Sequence, residues 1–260
     1  MARMELDEGA VQRSLASQCA VLELCGTRVA ESSAAVSLAS TCRRDSGFFA
    51  ATMARPGAAV GDVLAQAYEA ADVVGRPFFI WAADGSELAL ACWQAGLERA
   101  SSSAMMARPA DLGVPPQTTA RPDVDVIEVV DHESADLFRR VHVDQFRGAD
   151  APVEVVAHFA SDRVLMDDSV RAVVAVIDGV AASAGYLHRG ESADGIYWVY
   201  TVPDHRGAGL AGALVDALVA RSDTAIPVVL QATRAGRPVY LRHGFEDYGL
   251  LDAWRVDPTR

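Results

Sequence analysis

The chain has 260 residues, 51% hydrophobic and 22% charged, which suffices for one large or two modest domains with buried cores and excludes a disordered chain. Its formal charge of -12 excludes duplex nucleic acid as a partner, because phosphate binding draws on clustered Lys and Arg. The longest apolar runs, such as Val170 to Ile177, are strand-sized and fall short of the roughly 18 residues that cross a bilayer, so no membrane segment is expected.

Glu5, Asp7 and Glu8 stand where a signal peptide would be basic and then apolar, which points to a cytoplasmic protein. The acidic balance fits either solubility or the attraction of cationic small molecules. Cys19, Cys25, Cys42 and Cys92 lie in the first hundred residues, and every histidine lies from His132 onward, so no metal site is expected and free thiols are.

Leu15 to Leu24 fits either a helix or a strand. Gly61 to Ala71 reads as a helix, Pro77 to Ala82 as a short buried strand and Ser86 to Ala95 as a second helix, with Asp84-Gly85 turning the chain and Gly96 at a helix stop. Arg108-Pro109, Pro115-Pro116 and Arg121-Pro122 then crowd into a stretch that can neither continue a helix nor pair as a central strand. The boundaries follow: a first domain over 1–107, a linker over 108–122 and a second domain over 123–260.

In the second domain Val124 to Val130 reads as a strand, followed by helices over Ser134 to Phe146 and Val153 to Phe159. Val170 to Ile177 and Val180 to Leu187 flank Asp178-Gly179, a strong hairpin signal. Strand Ile196 to Val202, helix Gly209 to Ala220, strand Pro227 to Gln231, helix Pro238 to His243 and strand Leu250 to Val256 complete the order. Such alternation predicts an α/β or α+β domain around a mixed sheet.

The stretch Thr201-Val-Pro-Asp-His-Arg-Gly-Ala-Gly-Leu-Ala-Gly212 lies between a predicted strand and a predicted helix. Small residues let the backbone turn tightly with its N–H groups inward, and the helix N-terminus adds donors and a positive dipole end, so a pyrophosphate fits. Neither a P-loop nor a dinucleotide fingerprint is present. Arg206, Gly209 and Ala211 satisfy [QR]-x-x-G-x-[GA], and Tyr240-Leu-Arg-His-Gly-Phe245 satisfies Y-x-[KR]-x-G-F. In this order, with a helix and a strand between them, the two motifs resemble those of the GNAT family of acyl-CoA N-acyltransferases.

The resemblance implies a GNAT fold, a mixed, mostly antiparallel sheet flanked by helices, and transfer of an acetyl group from acetyl-CoA to a small-molecule or peptide amine by direct attack. It implies that Val199, Tyr200 and Thr201 pair with the pantetheine arm, and that Arg206, Gly207, Ala208, Gly209, Leu210, Ala211 and Gly212 hold the pyrophosphate, Arg206 serving otherwise to order the loop. Tyr240 is the implied general acid toward the leaving thiolate, or else a tyrosine that only packs beside the cofactor. Two positions depart from the family: Thr233 replaces a frequent cofactor-contacting Asn, and Gly236 replaces Ala. The sequence does not single out a base, for which Glu154, on a helix that in the family borders the acceptor cleft, and Glu191 and Asp194 are candidates. Phe78 to Met106 resembles the closing part of a second, degenerate GNAT-like unit, with a capping or dimerising domain of another fold as the alternative; Arg55-Pro-Gly-Ala-Ala-Val-Gly61 misses the loop motif, and no separate CoA site is expected there. The competing reading of the whole is a catalytically idle acyl-CoA-binding regulatory module. A homodimer is compatible with either.

Overall fold

The computed structural model describes residues 8–40, 42, 46–112, 123–149 and 152–259. Residues 113–122 of the expected linker, with Pro115-Pro116 and Arg121-Pro122, lie outside them. The chain divides into two compact units, Met1–Met105 with Tyr248–Arg260, and Met106–Asp247.

The first unit contains α1 (Glu8–Cys25), β1 (Thr27–Glu31), β2 (Ala35–Ala39), β3 (Ala50–Ala54), α2 (Val60–Val74), β4 (Phe78–Ala83) and α3 (Glu87–Gln94), and β5 (Glu98–Arg108) leads out of it. Strands β1 to β3 are antiparallel neighbours, whereas β3 and β4 are parallel. Helix α2 buries Val63, Ala67, Ala70 and Ala71, spaced to form one stripe, against Phe78 and Ile80 of β4. It stops at Gly75, whose φ of 68° is the left-handed cap that glycine tolerates. Ser86 caps α3 by accepting from the Ala89 N–H at 3.1 Å. Buried Arg76 donates to the carbonyls of Ser40 at 2.8 Å and Phe49 at 2.7 Å, tying down the segment before β3.

The second unit contains β6 (Val124–Glu128), α4 (His132–Gln145), α5 (Pro152–Phe159), α6 (Asp162–Leu165), β7 (Val170–Ile177), β8 (Val180–His188), β9 (Asp194–Thr201), α7 (Leu210–Val219), β10 (Val228–Ala232), α8 (Arg237–Arg242) and the beginning of β11 (Glu246–Val256). The strand order is β6-β7-β8-β9-β10, antiparallel up to β9 and parallel between β9 and β10. Asp178 and Gly179 turn the β7–β8 hairpin with φ of 51° and 75°, the paired positive values that the Asp-Gly signal predicts. An Asp131–Ser134 capping box starts α4.

The sequence expectations for α2, β4, α3, β7 and α7 agree with these elements to within a few residues. Leu15 to Leu24, left open between helix and strand, lies inside α1, while β1 to β3 and α6 had no clear signal. The final strand changes units: Leu251 to Val256 pair antiparallel with Ala83 to Phe78 of β4, and Leu251, Ala253 and Val256 are at most 1% exposed. The contiguous domain expected over 123–260 therefore gives its last residues to the first unit, because β4 offers them an apolar ladder partner.

Candidate functional site

Strand β9 carries Val199, Tyr200 and Thr201 toward the glycine-bearing loop. Against β8 it pairs Thr201 with Ser183 and Tyr200 with Ala184, but Tyr197 with Tyr186, so β9 holds one residue more than its partner. The excess is a bulge at Trp198, whose φ of 56° lies in a region that bulky side chains seldom adopt. Gly185 faces it: a Cβ there would lie 3.0 Å from Val199 Cγ2 and 3.2 Å from Val199 Cα. The parallel ladder to β10 joins Asp194, Gly195 and Ile196 to Val228, Val229 and Leu230 and ends before the bulge. That edge of Val199 to Thr201 is thus not engaged by a β10 ladder among the described residues.

After β9 a short turn over Pro203–His205 leads to Gly207 and Gly209, with φ of 77° and 83°. A Cβ built on either glycine meets nothing within 4 Å, so conformation rather than crowding calls for glycine. Gly209 is the N-cap of α7 and offers no side-chain cap. The first N–H groups of a helix lack intrahelical acceptors, so Leu210, Ala211 and Gly212 present donors where the dipole is positive. Buried Leu210, Leu214 and Leu218 anchor the helix in the core. Such a cradle has the donors and positive dipole end that suit a phosphate-type anion.

Arg206 points to the loop itself. Its Nε donates to the Thr201 carbonyl at 3.1 Å, and its guanidinium lies 5.6 Å from the centre of the Tyr200 ring. The Tyr200 hydroxyl donates to Asp144 Oδ2 at 3.1 Å, and its pKa is raised, first by burial and then by this carboxylate. The Ser183 hydroxyl donates to the Tyr200 carbonyl at 2.7 Å and lies 2.8 Å from the Thr201 hydroxyl, securing the strand end from below.

Tyr240 on α8 is 8% exposed, packs edge-on against Phe245 at 5.8 Å, and has its phenol pKa pushed up to about 12 by burial. Gly236 explains its departure from Ala, since a Cβ would approach Tyr240 Cε2 and Thr233 Oγ1 to 3.3 Å each. The Thr233 hydroxyl accepts from the Gly236 N–H at 3.1 Å and keeps its own proton to donate. Glu154 lies exposed in the first turn of α5, and Glu191 lies exposed in the turn after β8. Asp194 is different from what the sequence suggested. It is fully buried, accepting from the N–H groups of Gly190 at 3.2 Å and Asp223 at 2.8 Å, a structural clasp at the end of β9 remote from the bulge.

The sequence did not single out His142 or Asp144, which meet Tyr200 from α4, or Trp198, whose indole stacks on Phe159 of α5 and whose carbonyl faces His142. Nor did it show that Asp216 on α7 and His243 after α8, both 7% exposed in their side chains, lie 2.6 Å apart and join the two helices. The Asp216–His243 and Asp144–Tyr200 pairs are 27 and 56 residues apart, beyond the reach of local spacing.

Residues 168–247, which span the bulge, the cradle and Tyr240, match the family profile "Acetyltransferase (GNAT) domain". Over these residues the chain is similar to a GNAT acetyltransferase domain. The chain has no significant match among curated proteins. Among solved structures it is similar to a GCN5-related N-acetyltransferase from Kribbella flavida, at TM-score 0.68 and 18% identity over 95% of each chain. A GCN5-related N-acetyltransferase from Sphaerobacter thermophilus is similar at TM-score 0.62 and 17% identity over 95% of this chain and 91% of that one. A tandem GNAT protein from the clavulanic acid biosynthesis pathway is similar at TM-score 0.57 and 16% identity, over 96% of this chain and 95% of that one. At these identities the likeness is one of fold, and it extends through the first unit. There β3, α2, parallel β4 and α3 repeat the order of β9, α7, parallel β10 and α8 in the GNAT domain.

Proposed function

We propose that the second unit transfers an acetyl group from acetyl-CoA to a small-molecule or peptide amine in the cytoplasm. The reading rests above all on one observation: β9 breaks from β10 at a bulge and runs into a two-glycine cradle heading α7. Val199, Tyr200 and Thr201 offer backbone groups to the pantetheine arm, Arg206 to Gly212 hold the pyrophosphate, and the Thr233 hydroxyl adds a donor. Acetyl-CoA supplies the activated acyl carbon; the chain orients it and handles protons.

The attacking nitrogen must lose a proton, and the departing sulfur must gain one. With a pKa of about 12, Tyr240 keeps its phenolic proton at neutral pH and acts as the general acid. Glu154 and the partly buried Asp144 are the carboxylates assigned to the base, of which Asp144 is hydrogen-bonded to β9 through Tyr200. The first unit is assigned no acyl transfer.

Thiol release from acetyl-CoA across a panel of amines tests this reading. Turnover with at least one amine is expected, and tight CoA binding without turnover would instead mark an idle acyl-CoA-binding module. Asp144→Asn and Glu154→Gln, measured on the best amine, separate the two bases. The true base shows a fall of on the order of 10²-fold in kcat.

A further inference from the structure

His142 is a wholly buried side chain that the transfer reaction does not use. It projects from α4 between the rings of Phe138, stacked at 4.4 Å, and Phe159, edge-on at 5.2 Å. Its two ring nitrogens face carbonyl oxygens: Nδ1 lies 3.0 Å from that of Phe138 in the same helix, and Nε2 lies 2.7 Å from that of Trp198 on β9. A neutral imidazole carries a single N–H. The shorter contact, to the bulge residue, takes it.

Trp198 holds a left-handed φ of 56°, which persists only where the surroundings enforce it. Three groups do so. Gly185 leaves room opposite Val199, Phe159 stacks on the Trp198 indole at 3.7 Å and 6°, and His142 binds the carbonyl. Without the bulge, the end of β9 would slide by one residue against β8 and turn Val199, Tyr200 and Thr201 to opposite faces.

We propose that His142 is a positioning residue, whose Nε2–H donates to the Trp198 carbonyl and holds β9 in the bulged register that presents Val199 to Thr201 to the pantetheine arm. The last clause rests on the proposed acetyl-CoA reading; the clasp itself does not. The pyrophosphate cradle lies beyond the strand, so the clasp acts on one part of the cofactor and not on the other.

The experiment compares wild type with His142→Phe, which keeps ring packing but has no donor, and His142→Gln, whose amide can donate near the Nε2 position. Binding of CoA and of ADP is measured by calorimetry, and backbone hydrogen exchange is followed over residues 196–201. His142→Phe is expected to weaken CoA about tenfold, equivalent to ~1.4 kcal/mol, leave ADP within about twofold, and speed exchange in the segment. His142→Gln should recover CoA affinity to within about threefold of wild type. Unchanged CoA affinity and exchange in His142→Phe, an equal loss of CoA and ADP, or no recovery with Gln would each overturn the proposal. Nitrogen NMR of the wild-type imidazole decides the matter if the Phe variant does not fold: the Nε2–H tautomer is expected, and an Nδ1–H tautomer refutes the clasp. Should wild type bind no CoA, the acetyl-CoA reading fails, while exchange and tautomer still judge the clasp.

Discussion

Tyr240 keeps its proton because its surroundings, not its charged neighbours, set its pKa: burial is the cause of the rise to about 12. Tyr240→Phe preserves the edge-on contact with Phe245 and deletes only the hydroxyl. Turnover should fall on the order of 10²-fold or more with CoA affinity nearly unchanged, and an unaltered kcat would remove Tyr240 as the acid. His142 shows the same cause with the opposite sign, since burial lowers its pKa from 6.5 to about 4. The unfolded chain therefore takes up a proton below about pH 6.5 that the folded state refuses until about pH 4. Stability is present above that window and lost as pH falls through it, by about 3 kcal/mol at ~1.4 kcal/mol per unit. His188, also lowered chiefly by burial, adds in the same direction. Denaturant titrations at pH 7, 6 and 5 should give a flatter acid slope for His142→Phe; equal slopes would mean that His142 ionises as freely folded as unfolded.

At the scale of elements, the cradle depends on glycine for conformation and the strand on glycine for space. Gly209→Val puts a β-branched residue at a φ of 83° at the head of α7, so CoA should bind about tenfold or more weakly. Retained affinity would show that the cradle is not the pyrophosphate site. Gly185→Val instead drives side-chain atoms into Val199, which lies 3.0 Å from the ideal Cβ position. It should destabilise the fold by about 1–3 kcal/mol, seen as a lower denaturation midpoint. Local chemistry made much of this legible. The Asp178-Gly179 turn, the apolar β-rich run of β7 and the glycines before α7 each act within a few residues of themselves. The bulge was not legible, because Trp198 is no turn residue and its φ is set by Gly185, Phe159 and His142 from three other elements.

Across the whole molecule, the first unit is completed by the end of the chain. Trp254 and Val256 join its core cluster with Phe78 and Ile80 of β4, and Thr259 donates to Asp72 of α2 through both its N–H and its hydroxyl at 2.6 Å. Removal of residues 248–260 exposes β4 and forfeits about 1.5–3 kcal/mol for each buried Leu or Val side chain. Calorimetry should show a lowered or lost transition for the first unit, and an unchanged melting profile would refute the dependence. By itself the sequence determined the reaction class to which the second unit is assigned, through two motifs whose residues act over one turn of chain. It also determined most helices and strands there, because hydrophobic period and turn chemistry are local. The tertiary structure decided the unit to which the last strand belongs, the burial that raises Tyr240 and lowers His142, and the meetings of Asp144 with Tyr200 and of His142 with Trp198. Those depend on what packs against a residue from distant parts of the chain, which spacing along the sequence does not record.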